Sequence, residues 1–193
     1  MPNLYIIAGC NGAGKTTASN TILPEILHCR EFVNADNIAA GISPFNPDGA
    51  AIEAGRIMLT RINQLITEGK DFAFETTLST RSYVSLVRKA QSLGFKVTLV
   101  FIWLSSPQAA KERVAIRVKN GGHFIPDDVV ERRYYRGIEN LVKLFMPICD
   151  YWMIGESALP EVNIIATGNG DIEIVVENYD IWDTIMKQAN NER

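Results

Sequence analysis

The sequence predicts an α/β fold, with a mainly parallel sheet layered between helices in one domain over residues 1–193. Two observations predict it. Short apolar runs of strand length alternate with longer segments of helical period. A glycine-rich turn, AGCNGAGKTT at 8–17, sits between the first apolar run and the first helical segment. A chain of 193 residues with 47% apolar and 21% charged residues is sized for a single domain with a proper core.

Each element follows in chain order. The first strand is 3–8, on the apolar run Leu4-Tyr5-Ile6-Ile7, and helix 15–28 follows the glycine turn. A second strand is expected at 31–35. Helix 48–68 carries Ile52, Met58, Leu59, Ile62, Leu65 and Ile66, largely at helical spacing. Strand 71–75 contains Phe72-Ala73-Phe74, and helix 80–93 stops at Gly94. Strand 96–104 precedes helix 107–119, which starts near Pro107 and ends at Gly121-Gly122. Helix 126–145 opens on Pro126-Asp127-Asp128, a favourable N-terminus. A fifth strand is expected at 151–154, with further β-like runs at 162–167 and 171–176. No repeat or low-complexity segment interrupts the pattern.

Composition excludes several classes. The net charge of −3 gives no global basic field for nucleic acid, so a polynucleotide partner is not expected. Cys10, Cys29 and Cys149 are odd in number and form no Cys-x-x-Cys pair, which fits a reducing compartment without disulfides. The first residues show no basic stretch followed by a cleavable apolar segment, so no leader is expected, and the apolar run from Val97 to Leu104 is too short to span a bilayer. A soluble, cytoplasmic protein with no membrane partner is the expectation. Charge is uneven: residues 111–136 hold seven Lys/Arg against four Asp/Glu, whereas 148–193 hold two against nine.

The glycine turn carries the chemistry. Gly9-Cys10-Asn11-Gly12-Ala13-Gly14-Lys15-Thr16 fits G-x-x-x-x-G-K-[ST] at every fixed position, and Thr17 continues it. Glycines let the backbone approach an anion, successive N–H groups form an anion nest, and the following helix adds its positive end. Lys15 is expected to reach the β- and γ-phosphates of ATP, and the Thr16 hydroxyl to ligate Mg²⁺. Cys10 reads as a small tolerated residue in preference to a redox switch. The chain lacks an Asn-Lys-x-Asp guanine motif, a D-x-x-G switch, a strand ending in Asp-Glu and a Leu-Ser-Gly-Gly signature. A small phosphotransferase with an arginine-bearing lid is what remains.

Phosphoryl transfer to a hydroxyl needs a positioning base, cations and exclusion of water. In open α/β sheets these groups sit at the carboxyl ends of strands. Asp36 follows Phe32-Val33-Asn34-Ala35, and Glu75 closes Phe72-Ala73-Phe74 ahead of Thr76-Thr77. Asp36 reads as acceptor of the substrate hydroxyl's proton, or else as the cap of a helix at 37–41. Glu75 reads as a substrate contact or Mg²⁺ support, or as the ion-pair partner of a lid arginine. Arg113 and Arg117 share one helix face, Arg132 and Arg136 another, and Arg133 lies nearer Asn140. The cluster suits phosphate, because guanidinium matches it bidentately. Asn120-Gly121-Gly122 offers a hinge, and His123 beyond it a phosphate donor or a hinge hydrogen bond. Tyr134 reads as core, packed with Ile138, Leu141 and Phe145.

Four blocks of residues resemble the zeta toxin family and its zeta-like relatives, a group also described as predicted ABC-type ATPases. They are AGCNGAGKTT at 8–17, FVNADNIA at 32–39, FETTLST at 74–80 and RVKNGGHFIPDDVVERRYYRGIENL at 117–141. The resemblance implies a P-loop kinase-like three-layer sandwich with a five-stranded parallel core, and an arginine-bearing helical lid at about 107–145. It also implies phosphorylation of UDP-N-acetylglucosamine on a sugar hydroxyl, and an antitoxin protein as partner. Asp36 would be the catalytic base, with Lys15 on the phosphates. Glu75 and Thr76 would lie in the acceptor pocket. Arg117 and one of Arg132, Arg133 or Arg136 would bind phosphate. His123 stands where the best-known toxins carry an arginine before the lid proline, so that role passes to the 132–136 cluster. The alternative function is a nucleotide-binding ATPase or regulatory module without a small-molecule acceptor.

Overall fold

The computed structural model describes residues 1–122, 124–158, 161–170 and 172–190. Their sheet has seven strands, where the family resemblance implied a core of five. The strands are β1 (Asn3–Ala8), β2 (Phe32–Val33), β3 (Phe72–Thr76), β4 (Lys96–Trp103), β5 (Tyr151–Ala158), β6 (Glu161–Asn169) and β7 (Glu173–Val176). The spatial order is β2-β3-β1-β4-β5-β6-β7. The first five in that order run parallel, and β6 and β7 extend the sheet antiparallel beyond β5. The expected parallel core of five is present, and the two later β-like runs lengthen it.

Strand periodicity explains the two faces. Leu4, Ile6 and Ala8 of β1 enter one core, and Tyr5 and Ile7 enter the other. Phe72 and Phe74 of β3 go with the first set, Ala73 with the second. The larger core takes α3 (Ala51–Glu68), α4 (Tyr83–Ser92), α5 (Pro107–Lys119), α6 (Asp127–Asn140) and α7 (Tyr179–Ala189) through Ile62, Val87, Val114, Tyr134 and Ile185. On the opposite face lie Leu23, Leu27 and Cys29, which follow α1 (Lys15–Thr21). Each phenyl or branched aliphatic group buried to this degree contributes about 1.5–3 kcal/mol. Trp182 of α7 stacks on Trp152 of β5, with ring centres 6.0 Å apart and planes 6° from parallel.

Several boundaries differ from the sequence expectation, each for a local reason. The 31–35 strand shortens to Phe32–Val33 because Asn34 leaves the ladder to cap α2 (Ala35–Ile42). Asp36 therefore lies inside the first turn of α2, and the cap role expected as its alternative belongs to Asn34. The first helix stops at Thr21 and continues as a wider turn, Ile22–Ile26, in which Leu27 N donates to Ile22 O at 3.0 Å. Pro24 in that turn has no N–H for the ordinary ladder. Helix 80–93 starts only at Tyr83, because the Ser/Thr hydroxyls of 77–82 bond among themselves. Among the described residues no helix is long and apolar enough to cross a membrane.

Strand order positions the site. Connections leave β1 toward β2 on one side and reach β4 on the other, so the order reverses beside β1. A crevice opens at the carboxyl ends of strands at such a point. Ala8 pairs with Thr76 on one side and Phe101 on the other, so the glycine turn emerges level with Glu75 and Thr76.

Candidate active site

The glycine turn closes tightly against β4. A Cβ on Gly9, whose φ is +143°, would run into the carbonyl oxygen of Ile102, so only glycine fits. Gly14 ends the loop in the left-handed region at φ 87° and delivers the chain into α1. Lys15 is nearly buried, at 7% exposure, and its ammonium donates to the Cys10 carbonyl at 3.0 Å. Burial pushes the Cys10 thiol up to about 11 against the opposing pull of Lys15, so it stays protonated and unreactive at neutral pH.

Glu75 gathers the loop's functional groups. Its Oε2 accepts from the Thr16 hydroxyl at 2.8 Å and from the Asn34 amide at 2.7 Å, while Oε1 lies 3.5 Å from the Lys15 ammonium. The ion pair expected with a lid arginine is made instead with the loop lysine. Asn34 Oδ1 in turn accepts from the backbone N–H of Asp36 at 2.8 Å and of Asn37 at 3.1 Å. Thr16, Glu75, Asn34 and Asp36 thus form one hydrogen-bonded line across the crevice.

Two cavities border that line, and a third adjoins the second of them. One, of about 830 Å³, runs over Gly12, Lys15, Thr16 and Thr17 to Asp36, Glu75, Arg113 and Arg117. Its neighbour, about 250 Å³, holds Asp36, Glu75, Thr76, Thr80 and Arg133. The third, about 620 Å³, is lined by Arg81, Arg132, Arg133 and Arg136 together with the hydroxyls of 79–82. Asp36 borders the first two, and Arg133 the last two.

The arginines separate into distinct roles. Arg113 is fastened to β5, donating to Ser157 Oγ at 2.7 Å and Ser157 O at 3.1 Å. Arg117 faces the large loop cavity. Arg133 donates to Asn11 Oδ1 of the glycine turn at 3.3 Å. Burial pulls its guanidinium below the ordinary arginine range, and the charge of Asp36 opposes that shift. Arg132 and Arg136 are not brought to the glycine turn. They line the outer cavity, and Arg132 keeps a long contact to Asp128 at 3.9 Å. Thr76 borders the middle cavity, but its hydroxyl accepts from Leu78 N at 3.0 Å and holds the turn after β3. His123 lies outside the described residues. Sequence reasoning missed Asn34 and Arg81. Asn34 carried one usable signal, a cap residue directly after a strand and two before an acid.

The arrangement fits a nucleotide's phosphates: a glycine cradle, a buried ammonium, and a hydroxyl and carboxylate in contact. Among the described residues no group of three or more His, Cys, Asp or Glu side chains converges as a metal cage. Mg²⁺ needs no such cage, since it keeps waters and takes one or two protein oxygens beside phosphate oxygens. Thr16 and Glu75 supply such oxygens.

Residues 1–146 match the family model described as Zeta toxin. The chain belongs to the zeta toxin family. An uncharacterized protein of Haemophilus influenzae is 36% identical over 126 residues, covering 65% of this chain and 88% of that protein. Among solved structures, the AvrRxo1-ORF1:-ORF2 complex with ATP matches at a TM-score of 0.75 and 18% identity, over 97% of this chain and 64% of that one. The zeta toxin-family chain thus spans less than two thirds of that neighbour's length. The PezAT toxin–antitoxin system of Streptococcus pneumoniae matches at 0.68 and 16%, over 99% of this chain and 87% of that chain. At these identities the solved structures show a shared fold. That fold is the P-loop kinase type, shared also with a gluconokinase of Sinorhizobium meliloti at 0.54 and 15%, over 82% and 84% of the two chains. The chain is thus a zeta toxin-family member with a P-loop kinase-type fold.

Proposed function

We propose that the protein is an ATP- and Mg²⁺-dependent kinase that moves the γ-phosphate to a hydroxyl of a small molecule, a sugar nucleotide of the UDP-N-acetylglucosamine type. The observation that carries this reading is the position of Asp36, which borders both the glycine-turn cavity and the cavity beside it. A carboxylate at that junction suits a donor phosphate on one side and an acceptor hydroxyl on the other.

Residues 9–17 would hold the triphosphate, with Lys15 turning from Glu75 toward the transferred group. Thr16 and Glu75 would hold Mg²⁺, which when bound neutralises phosphate charge. Asp36 orients the acceptor hydroxyl and takes its proton as the new oxygen–phosphorus bond forms, and the bond to the leaving diphosphate oxygen breaks. Arg117 and Arg133 balance charge on the phosphates from the lid side. Arg81, Arg132 and Arg136 receive the acceptor's own phosphates in the outer cavity, and Thr76 shapes the wall between. His123 belongs to the same lid segment and is assigned to the acceptor. The family resemblance supports the sugar-nucleotide acceptor and an antitoxin partner, and the three free cysteines support a cytoplasmic reaction. The toxin–antitoxin neighbour from Streptococcus pneumoniae also supports such a partner.

The test is incubation with γ-labelled ATP, Mg²⁺ and UDP-N-acetylglucosamine, with products separated by mass. A phosphorylated sugar nucleotide is expected, with Asp36→Asn slowing its formation by about 10²–10⁴-fold. Full activity in Asp36→Asn overturns the assignment of the base. Acceptor-independent hydrolysis alone supports the ATPase reading instead.

A further inference from the structure

We propose that Asn34 is a positioning residue that ties the first turn of α2, which carries Asp36, to the Glu75 carboxylate, fixing Asp36 relative to Glu75 and so relative to the glycine turn. Its catalytic consequence rests on the kinase reading above. Its structural basis does not.

Asn34 stands one residue past Val33, which pairs with Phe74, and so comes level with Glu75 at the end of β3. It is 5% exposed. Both ends of its amide are used. The oxygen accepts from the N–H groups of Asp36 and Asn37, and the nitrogen donates to Glu75 Oε2 at 2.7 Å. The partners dictate the amide's orientation, because backbone N–H groups require an oxygen and a carboxylate requires a donor. Asn34 therefore links segments 41 residues apart in sequence.

Capping alone does not account for asparagine here. Asn, Asp and Ser are comparable caps, so any of them would begin α2. Aspartate keeps the cap but has no donor, and sets a second carboxylate against Glu75. Serine keeps the acceptor but cannot hold both partners. Asparagine satisfies both with one side chain. Glu75 already holds Thr16 and sits near Lys15, so the amide passes the position of the glycine turn on to the first turn of α2, where Asp36 sits. The same cavity brings Arg133 toward these groups from α6.

The experiment is a double-mutant cycle of Asn34→Ser and Glu75→Ala, read as transfer kinetics and as urea unfolding. Asn34→Ser is expected to lower kcat about ten-fold or more with KM for ATP within about two-fold, as loss of alignment does without loss of binding. The double variant is expected to be little slower than Glu75→Ala alone, since the two act as a unit. Multiplying effects on kcat, or an Asn34→Asp protein as active as wild type, would overturn the positioning role. Urea unfolding decides the link without any acceptor. Non-additive effects there are expected, and strictly additive ones refute the bond between Asn34 and Glu75. Absence of transfer in the wild type with a non-additive unfolding cycle would overturn the kinase reading and leave the coupling intact.

Discussion

Buried thiols give the residue scale a readable pH signature. Cys149 is 2% exposed, and burial together with the neighbouring charge of Asp150 pushes its thiol up to about 12. The unfolded thiol titrates near 9. The folded chain therefore keeps a proton that the unfolded chain loses, and ν_U falls below ν_N as pH rises past 9. Stability from this group is whole below pH 9 and declines up to about pH 12, by about 1.4 kcal/mol per pH unit at most. Urea midpoints measured from pH 8 to 10.5 should fall for the wild type and fall less steeply for Cys149→Ala. Equal slopes would mean that solvent reaches the thiol. Cys10 lies in the same regime, so alkylating reagents at neutral pH should find the loop thiol inert.

Helix α6 matters at the element scale because it carries Arg132, Arg133 and Arg136 yet packs against the turn after β3. Gly137 makes that approach possible: a Cβ there would stand 2.7 Å from the Thr77 carbonyl oxygen. Asn140, one turn on, donates to Leu78 O at 2.8 Å and ties the helix to the same turn. Tyr134, one turn back, adds an anchor through its hydroxyl, which donates to Leu104 O at 2.8 Å. Gly137→Ala should destabilise by about 1–3 kcal/mol despite alanine's better helix propensity, because the neighbouring atom is backbone and cannot rotate away. A chemical-denaturation midpoint checks this. An unchanged midpoint would show that α6 slides outward freely, carrying its arginines with it.

Across the whole molecule, the parts legible in sequence were those set by local chemistry or short period. The glycine turn, the parallel strands and the placing of Glu75 near a strand end follow from motif and apolar runs, whereas Asp36, which reads as following a strand at 31–35, lies in the first turn of α2. Tyr134 was readable as core because its partners recur at helical spacing. Asn34 was opaque for the opposite reason. Its amide acquires meaning only when β2 pairs with β3, across 41 residues of chain. The division of the arginines between the loop cavity and the outer cavity was equally hidden, since it depends on how α5 and α6 cross, not on spacing within either. The wide turns Ile22–Ile26 and Leu141–Phe145 read as ordinary helix in the sequence, because their apolar spacing does not distinguish i→i+5 from i→i+4 bonding.

The stacked indoles of β5 and α7 give the molecule its own optical gauge. Two rings 6.0 Å apart and 6° from parallel couple their electronic transitions, and so should yield a bisignate circular-dichroism band that neither tryptophan gives alone. Trp182→Phe should erase that couplet while leaving phosphoryl transfer intact, since the pair stands outside the three cavities. Followed during unfolding, the couplet would report when the terminal helix leaves the sheet. A signal that vanishes before the far-ultraviolet ellipticity of the rest would show that this corner lets go first.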